Sequence, residues 1–275
     1  MDKNDRLIVA AVQMNSQEYT TINVKQAISL LEDAAEAGAK LVVLPENFNY
    51  LGPESGLYEA AEPIPGPTIS AIADIAHRQN ITILAGSMIE KDTDSQRYFN
   101  TSVLIDSSGQ IIAKYRKIHL FDAQIGNAVS EKESKFFSPG EEMVTATVYG
   151  HRAGLSICYD LRFPELYRSL VNRGSEIILV PAAFTMFTGK DHWELLLRTR
   201  AIENQCFVIA ANQLGHHNGG WCYGRSMIVD PWGIVLASAP DNVGIVLAEL
   251  DFTALERIRH QLPALLNRRL FESQV

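Results

Sequence analysis

The chain has 275 residues, 47% of them hydrophobic and 20% charged, the balance of a globular protein that buries a sizeable core. A formal net charge of -8, with no long run of like charges, excludes nucleic acid or an anionic membrane as the main partner. No apolar run reaches membrane-spanning length, no basic apolar leader precedes Leu7, and the three cysteines (Cys158, Cys206, Cys222) lack paired spacing, so a reduced cytoplasmic protein is expected.

Leu7 to Met14 reads as a strand buried on both faces. Thr21 to Glu36 carries Val24, Ala27, Ile28, Leu31, Ala34 and Ala35 on one helical stripe, and Gly38 stops it. Leu41 to Leu44 is a second apolar strand, ending in Pro45-Glu46-Asn47-Phe48. Strand, helix, strand of this kind is the signature of a crossover unit covered by helices. Gly52 to Pro67 reads as a surface loop and Thr68 to Gln79 as a helix. Ile81 to Gly86, Thr101 to Ile105 and Ile111 to Tyr115 read as strands, the last two joined by the turn Asp106-Ser-Ser-Gly109. Lys117 to Pro139 is a polar, irregular segment of a length that is usually functional or disordered.

Thr145 to Tyr149 and Ala153 to Ile157 are strands leading to Cys158, and Pro164 opens a helix. Strands follow at Glu176 to Val180, Phe207 to Ala211, Ser226 to Val229, Ile234 to Leu236 and Ile245 to Leu250, with a long helix over Lys190 to Asn204. Gly38 to Phe48 matches Gly174 to Phe184 in pattern, each a helix end, a buried strand, then Pro-x-x-Phe. Two such units suggest a pseudo-symmetric fold of two packed sheets with helices outside. No linker divides the chain, so one domain over residues 1–275 is expected, with an arm or tail from about Leu262.

Three strand ends carry reactive groups: Glu46, Lys117 and Cys158. If they converge, thiol, carboxylate and ammonium suffice for acyl transfer from an amide. At a strand-to-helix corner Cys158 would be held rigidly and stabilised as thiolate. Each has a bland reading: a buried small hydrophobe, a solvated turn glutamate, a surface lysine. His119 could orient a thiolate, and His192 or His216 could serve a cysteine–histidine hydrolase. Gly189-Lys190 lacks the upstream glycine of a phosphate loop, and His216-His217 with Cys222 has no metal-ligand spacing.

Pro45-Glu46-Asn-Phe48, Tyr115-Arg-Lys117-Ile-His119-Leu-Phe-Asp122 and Gly154-Leu-Ser-Ile-Cys158-Tyr-Asp-Leu-Arg-Phe-Pro-Glu165, in this order, resemble the nitrilase superfamily of carbon–nitrogen hydrolases. His192-Trp193-Glu194, Arg200 to Asn204 and Asp230-Pro-Trp-Gly233 extend the likeness from about Val9 to Leu262. The resemblance implies an α/β four-layer αββα sandwich without cofactor or metal. It implies Glu46 as general base and acid, Lys117 as oxyanion stabiliser, Cys158 as nucleophile and the Tyr159 backbone N–H as second oxyanion donor. A further glutamate maps to Glu133, with Glu131 competing, and would hold Lys117 and the substrate in place. Two carboxylates would keep Lys117 charged, and desolvation would raise the pKa of Glu46.

The chain looks closest to the branch containing deaminated glutathione amidase and omega-amidase. That implies an amidase converting a small carboxylate-bearing primary amide to acid and ammonia through a cysteine thioester. Deaminated glutathione amidase is the leading reading, omega-amidase activity on α-ketoglutaramate its nearest rival, and a nitrilase or a non-catalytic binding member of the fold the remoter ones. Arg225 stands where histidine is expected and could favour a carboxylate-rich substrate or face solvent. The family also implies a homodimer or higher homo-oligomer, with Leu166 to Val171 and Leu262 to Leu270 as candidate surface.

Overall fold

A computed structural model describes residues 5–126, 129–217 and 220–269. In chain order the elements are β1 (Arg6–Gln13), α1 (Thr20–Glu36), β2 (Leu41–Val43), α2 (Leu57–Ala60), α3 (Pro67–Gln79), β3 (Thr82–Lys91), β4 (Tyr98–Ile105) and β5 (Ile111–Arg116). A hairpin of β6 (Asp122–Ile125) and β7 (Val129–Lys132) precedes β8 (Thr145–Val148), β9 (His151–Leu155), α4 (Pro164–Asn172), β10 (Ile177–Ala182), α5 (Met186–Asn204) and β11 (Phe207–Asn212). A second hairpin, β12 (Leu214–His217) and β13 (Gly220–Tyr223), leads to β14 (Met227–Val229), β15 (Val235–Ser238), β16 (Gly244–Asp251) and α6 (Phe252–Gln261).

Two six-stranded sheets form, in the orders β16-β1-β2-β3-β4-β5 and β15-β14-β11-β10-β9-β8. They pack face to face, with β10 and β11 against β2 and β11 against β1. Helices α1 and α3 cover the first sheet, α4 and α5 the second, which makes the four-layer αββα sandwich. The near-continuous apolar strands are explained by a period of two that splits between two cores. Val9, Ala11, Leu41, Val43 and Leu84 enter the inter-sheet core. Their neighbours Ala10, Val12, Val42, Ile83 and Ala85 meet α1 and α3 on the other face.

The strands of the two sequence-related units become β2 and β10, each pairing parallel with the strand that precedes its helix, β1 with β2 and β9 with β10. Their Pro-x-x-Phe corners face one another, and both Phe48 and Phe184 are buried. The turn Pro240 to Asn242 carries the chain from one sheet to the other. Gln13 fastens it, its Nε2 donating to the Pro240 and Asn242 carbonyls at 2.7 and 2.8 Å while Oε1 accepts from the Ser226 N–H at 2.9 Å.

Several elements differ from the sequence reading. The described residues of the Lys117 to Pro139 segment hold the antiparallel strands β6 and β7 and a 3-10 turn over Glu133–Lys135. Its strands are short and alternate weakly, so periodicity could not mark them. Helix α5 starts at Met186, before the expected Lys190, because Thr185 caps it by accepting from the Thr188 N–H. Helix α6, over residues left unassigned, is capped by Asp251, which accepts from the Ala254 N–H at 3.1 Å. Leu166, Leu170 and Val171, expected on a subunit surface, are buried in this chain's own core. Leu262 and Leu266 are exposed, and Leu270 lies outside the described residues. Among the described residues no helix is long and apolar enough to cross a membrane.

Two features hold the strand ends. In β3 a bulge between Ala85 and Met88 lets Gly86 (φ 27°) pass under the Pro45 carbonyl, where a Cβ would lie 1.9 Å from that oxygen. Gly86→Ala is therefore expected to cost about 1–3 kcal/mol of stability, read as a fall in Tm of roughly 5 °C. On the same strand, Glu90 accepts from Thr101, Lys114 and Arg116 at 2.6 to 2.9 Å. Burial pushes the Glu90 carboxyl up, but these donors outweigh it and bring it down to about 2. Its stabilisation is thus present above the ordinary glutamate value and lost as pH falls towards about 2. Denaturant melts from pH 5 to 2 should show a destabilisation that is smaller in Glu90→Gln than in the wild type.

Candidate active site

The ends of β2, β5 and β9 converge: β2 and β9 pair parallel with β1 and β10, while β5 is the edge strand of its sheet, antiparallel to β4. Glu46, Lys117 and Cys158 lie there, at 3%, 2% and 8% exposure. The Lys117 Nζ donates to Glu46 Oε1 at 2.9 Å and to Glu133 Oε2 at 2.8 Å. Asn100, at the start of β4, spans the same two carboxylates, its Nδ2 donating to Glu46 Oε1 at 2.9 Å and Glu133 Oε1 at 3.0 Å. The remaining Glu46 oxygen accepts from the Ala183 N–H at 2.8 Å, so the second Pro-x-x-Phe corner holds the glutamate of the first. Glu133 is fixed in turn by the Phe121 N–H at 2.6 Å.

Cys158 has φ 45° and opens a 3-10 turn over Cys158–Arg162. A non-glycine residue there is strained unless its surroundings over-determine it. Asp160, wholly buried, supplies that constraint. Its Oδ2 accepts from the Ile157 N–H at 2.8 Å and the Tyr115 hydroxyl at 2.7 Å, and its Oδ1 from the His119 N–H at 3.1 Å. One carboxylate thus joins the cysteine corner to β5, the strand that delivers Lys117.

Electrostatics set the resting protonation. Burial pushes the Lys117 ammonium down, but Glu133 and Glu46 raise it well above the ordinary lysine value, so it stays charged. Burial pushes Glu46 up, yet the Lys117 charge and hydrogen bonds from Lys117, Cys158 and Asn100 leave it below the usual range. This corrects the expectation of a raised value: an adjacent ammonium outweighs desolvation. Burial raises Cys158 well above the usual thiol value and Glu46 raises it further, against the pull of Lys117. The expected thiolate is corrected too. The resting pair is a thiol donating to a carboxylate, because an anion is already seated beside the sulfur.

Around this cluster opens a cleft of about 770 Å³. Its walls include β7, β13, the first turns of α5 and the loop holding Tyr50 and Leu51. Glu131 lines it but Glu133 is the carboxylate on Lys117, which resolves the competing assignment of that contact. His119 pairs with Asp160 at 2.7 Å and stacks on Phe163 at 3.7 Å, rather than meeting the thiol. His192 lies 3.2 Å from Arg162, and His216 packs on Trp221. Arg225 pairs with Asp241 at 2.9 Å on the surface and is not part of the cleft wall. Among the described residues no three His, Cys, Asp or Glu side chains are grouped as metal ligands. Sequence reasoning missed Asn100 and Asp160. Asn100 had no signal beyond its place before an apolar strand, whereas Asp160 stood inside the cysteine motif without an evident partner.

Residues 8–260 match the carbon-nitrogen hydrolase family. The chain is 42% identical over 266 residues to a deaminated glutathione amidase of Synechocystis, covering 95% of this chain and 97% of that one. It is 38% identical over 264 residues to human omega-amidase NIT2, covering 95% and 94%. The crystal structure of Saccharomyces cerevisiae Nit3, described as a member of branch 10 of the nitrilase superfamily, superposes with a TM-score of 0.87 at 33% identity over 96% of this chain and 97% of that one. With the sandwich and the strand-end cluster in place, these likenesses assign the chain: it belongs to the carbon–nitrogen hydrolase family of the nitrilase superfamily.

Proposed function

We propose that the chain is an amidase working through a Cys158 thioester, with deaminated glutathione as the best-supported substrate. One observation carries the chemistry: a buried thiol and a buried ammonium share the Glu46 carboxylate at the floor of a cleft. Sγ attacks the amide carbonyl as its proton passes to Glu46, forming the S–C bond and an oxyanion. The Lys117 ammonium and the Tyr159 backbone N–H, in a first turn lacking helical partners, stabilise that charge. Glu46 then protonates the leaving nitrogen, the C–N bond breaks, and the acyl group remains on sulfur. Water attacks the thioester with Glu46 taking its proton, the S–C bond breaks, and the proton returns to sulfur. Glu133 and Asn100 hold Lys117 and Glu46 in register, and no step draws on a metal or cofactor.

The two candidate substrates differ in the leaving amine. α-Ketoglutaramate is a primary amide and would release ammonia. Deaminated glutathione carries its scissile amide on the nitrogen of a cysteinylglycine, so the expectation of a primary amide and ammonia narrows to the first. A cleft of about 770 Å³ leaves a ten-heavy-atom primary amide largely surrounded by water, which favours the longer substrate. Both share 2-oxoglutarate as acid product. Wild-type protein offered each should release it, with the larger kcat/KM for deaminated glutathione. The reverse preference would make the chain an omega-amidase. Cys158→Ala and Glu46→Gln should fold, with turnover reduced to background, and 2-oxoglutarate from purified Cys158→Ala would refute the mechanism.

The pH profile follows from the shifts. Glu46 must be a carboxylate to accept the thiol proton, and its pKa is lowered, so kcat/KM should fall only below the ordinary glutamate range. Lys117 and Cys158 are both raised, so neither imposes a basic limb near neutrality. A rate halved between pH 6 and 7 would contradict this arrangement.

A further inference from the structure

The reacting atoms occupy only the floor of the cleft, and its outer part has a composition of its own. Met186 and Phe187 on α5 and Trp221 on β13 line it at 38%, 46% and 57% exposure, so large apolar groups meet water where a ligand would cover them. Lys190, one turn further along α5, lines the same region. Its nearest recorded carboxylate is the exposed neighbour Asp191 at 4.0 Å, a weak pairing, and its ammonium stands 5.7 Å from the Phe187 ring. The acidic groups sit on another wall. Glu133 is on Lys117, Glu54 is paired with Lys135 at 2.8 Å, and Glu131 lies in the field of both glutamates.

We infer that this outer cleft is a binding subsite for the amine half of the substrate, built for a dipeptide-like leaving group whose terminal carboxylate is received by Lys190. The inference rests on the amidase reading above and deepens it. One cleft holds both ends: Glu46, Cys158 and Ala183 line its floor, and Met186, Phe187, Lys190 and Trp221 line it further out along the first turns of α5 and β13. The first side chain of the leaving group would lie along Met186, Phe187 and Trp221. The charges agree with this. Cleavage leaves a new amine that takes up a proton beside the carboxylates of the floor, while the other end of the zwitterion remains anionic at the rim.

The test uses three amides of the same 2-oxoglutaryl acyl group, carrying ammonia, cysteinylglycine or cysteinylglycinamide, followed by 2-oxoglutarate release. Wild-type protein should prefer the dipeptide acid over its C-terminal amide by about three- to tenfold in kcat/KM, chiefly through KM. Lys190→Met, which keeps the stem, should bring that ratio to about one, and Lys190→Arg should retain it. A wild-type ratio near one, or a ratio unmoved by Lys190→Met, would overturn the subsite. If the wild type hydrolyses the ammonia amide yet ignores the distal carboxylate, the subsite alone fails. If it hydrolyses none of the three, the amidase reading fails with it.

Discussion

Everything in this site depends on one buried ammonium. Lys117 is buried between two carboxylates, and the same carboxylates share the Asn100 amide. Desolvating an isolated charge there would be prohibitive, so cation and anions are each other's solvent. Removing Lys117 would leave Glu46 and Glu133 buried side by side, which makes its loss structural as well as chemical. The excess negative charge of the trio explains why sulfur keeps its proton until a carbonyl arrives. In the proposed mechanism electrons would reach the substrate only as a proton leaves for Glu46, so that thiol and carboxylate would act as one unit.

The protein holds this cluster by tying each strand end to another. Ala183 holds Glu46, Asp160 joins the cysteine corner to β5, and the Asn100 carbonyl accepts from the Lys117 N–H at 2.8 Å. The internal echo of Pro-x-x-Phe units becomes functional here, because the two corners meet across the sandwich and one supplies the backbone donor for the other's carboxylate. Gln213 adds a further tie, its Nε2 donating to the Glu46 carbonyl at 2.9 Å.

Much of this was legible in the sequence. The doubly buried strands announce themselves as uninterrupted apolar runs at Leu7 and Leu41, and the repeated unit points to two layers of the same kind. Glu46 and Cys158 each follow such a strand, whereas Lys117 follows β5, a largely exposed edge strand whose Tyr115 is tied to the cysteine corner through Asp160. Charge states were less accessible. A corner cysteine suggests a thiolate and a buried glutamate suggests a raised pKa, but each inference treats one group alone. The opposite outcome arises from their mutual distances, which only the folded chain contains. Asn100 escaped notice for the same reason, since a single amide becomes informative when two carboxylates arrive on either side of it. The hairpins escaped because four-residue strands outside the main sheets leave almost no periodic trace.

Those hairpins have a consequence for how the scaffold can diversify. β6–β7 and β12–β13 form sheets of their own, two strands each, apart from the two large sheets that seat the chemistry. They supply Ser130, Lys132, His217 and Trp221 to the cleft without sharing a ladder with β2, β5 or β9. Changes in their length or side chains can therefore reshape the entrance while the strands that carry Glu46, Lys117 and Cys158 keep their pairing. The fold thus separates the buried cluster at the strand ends from the walls that shape its entrance.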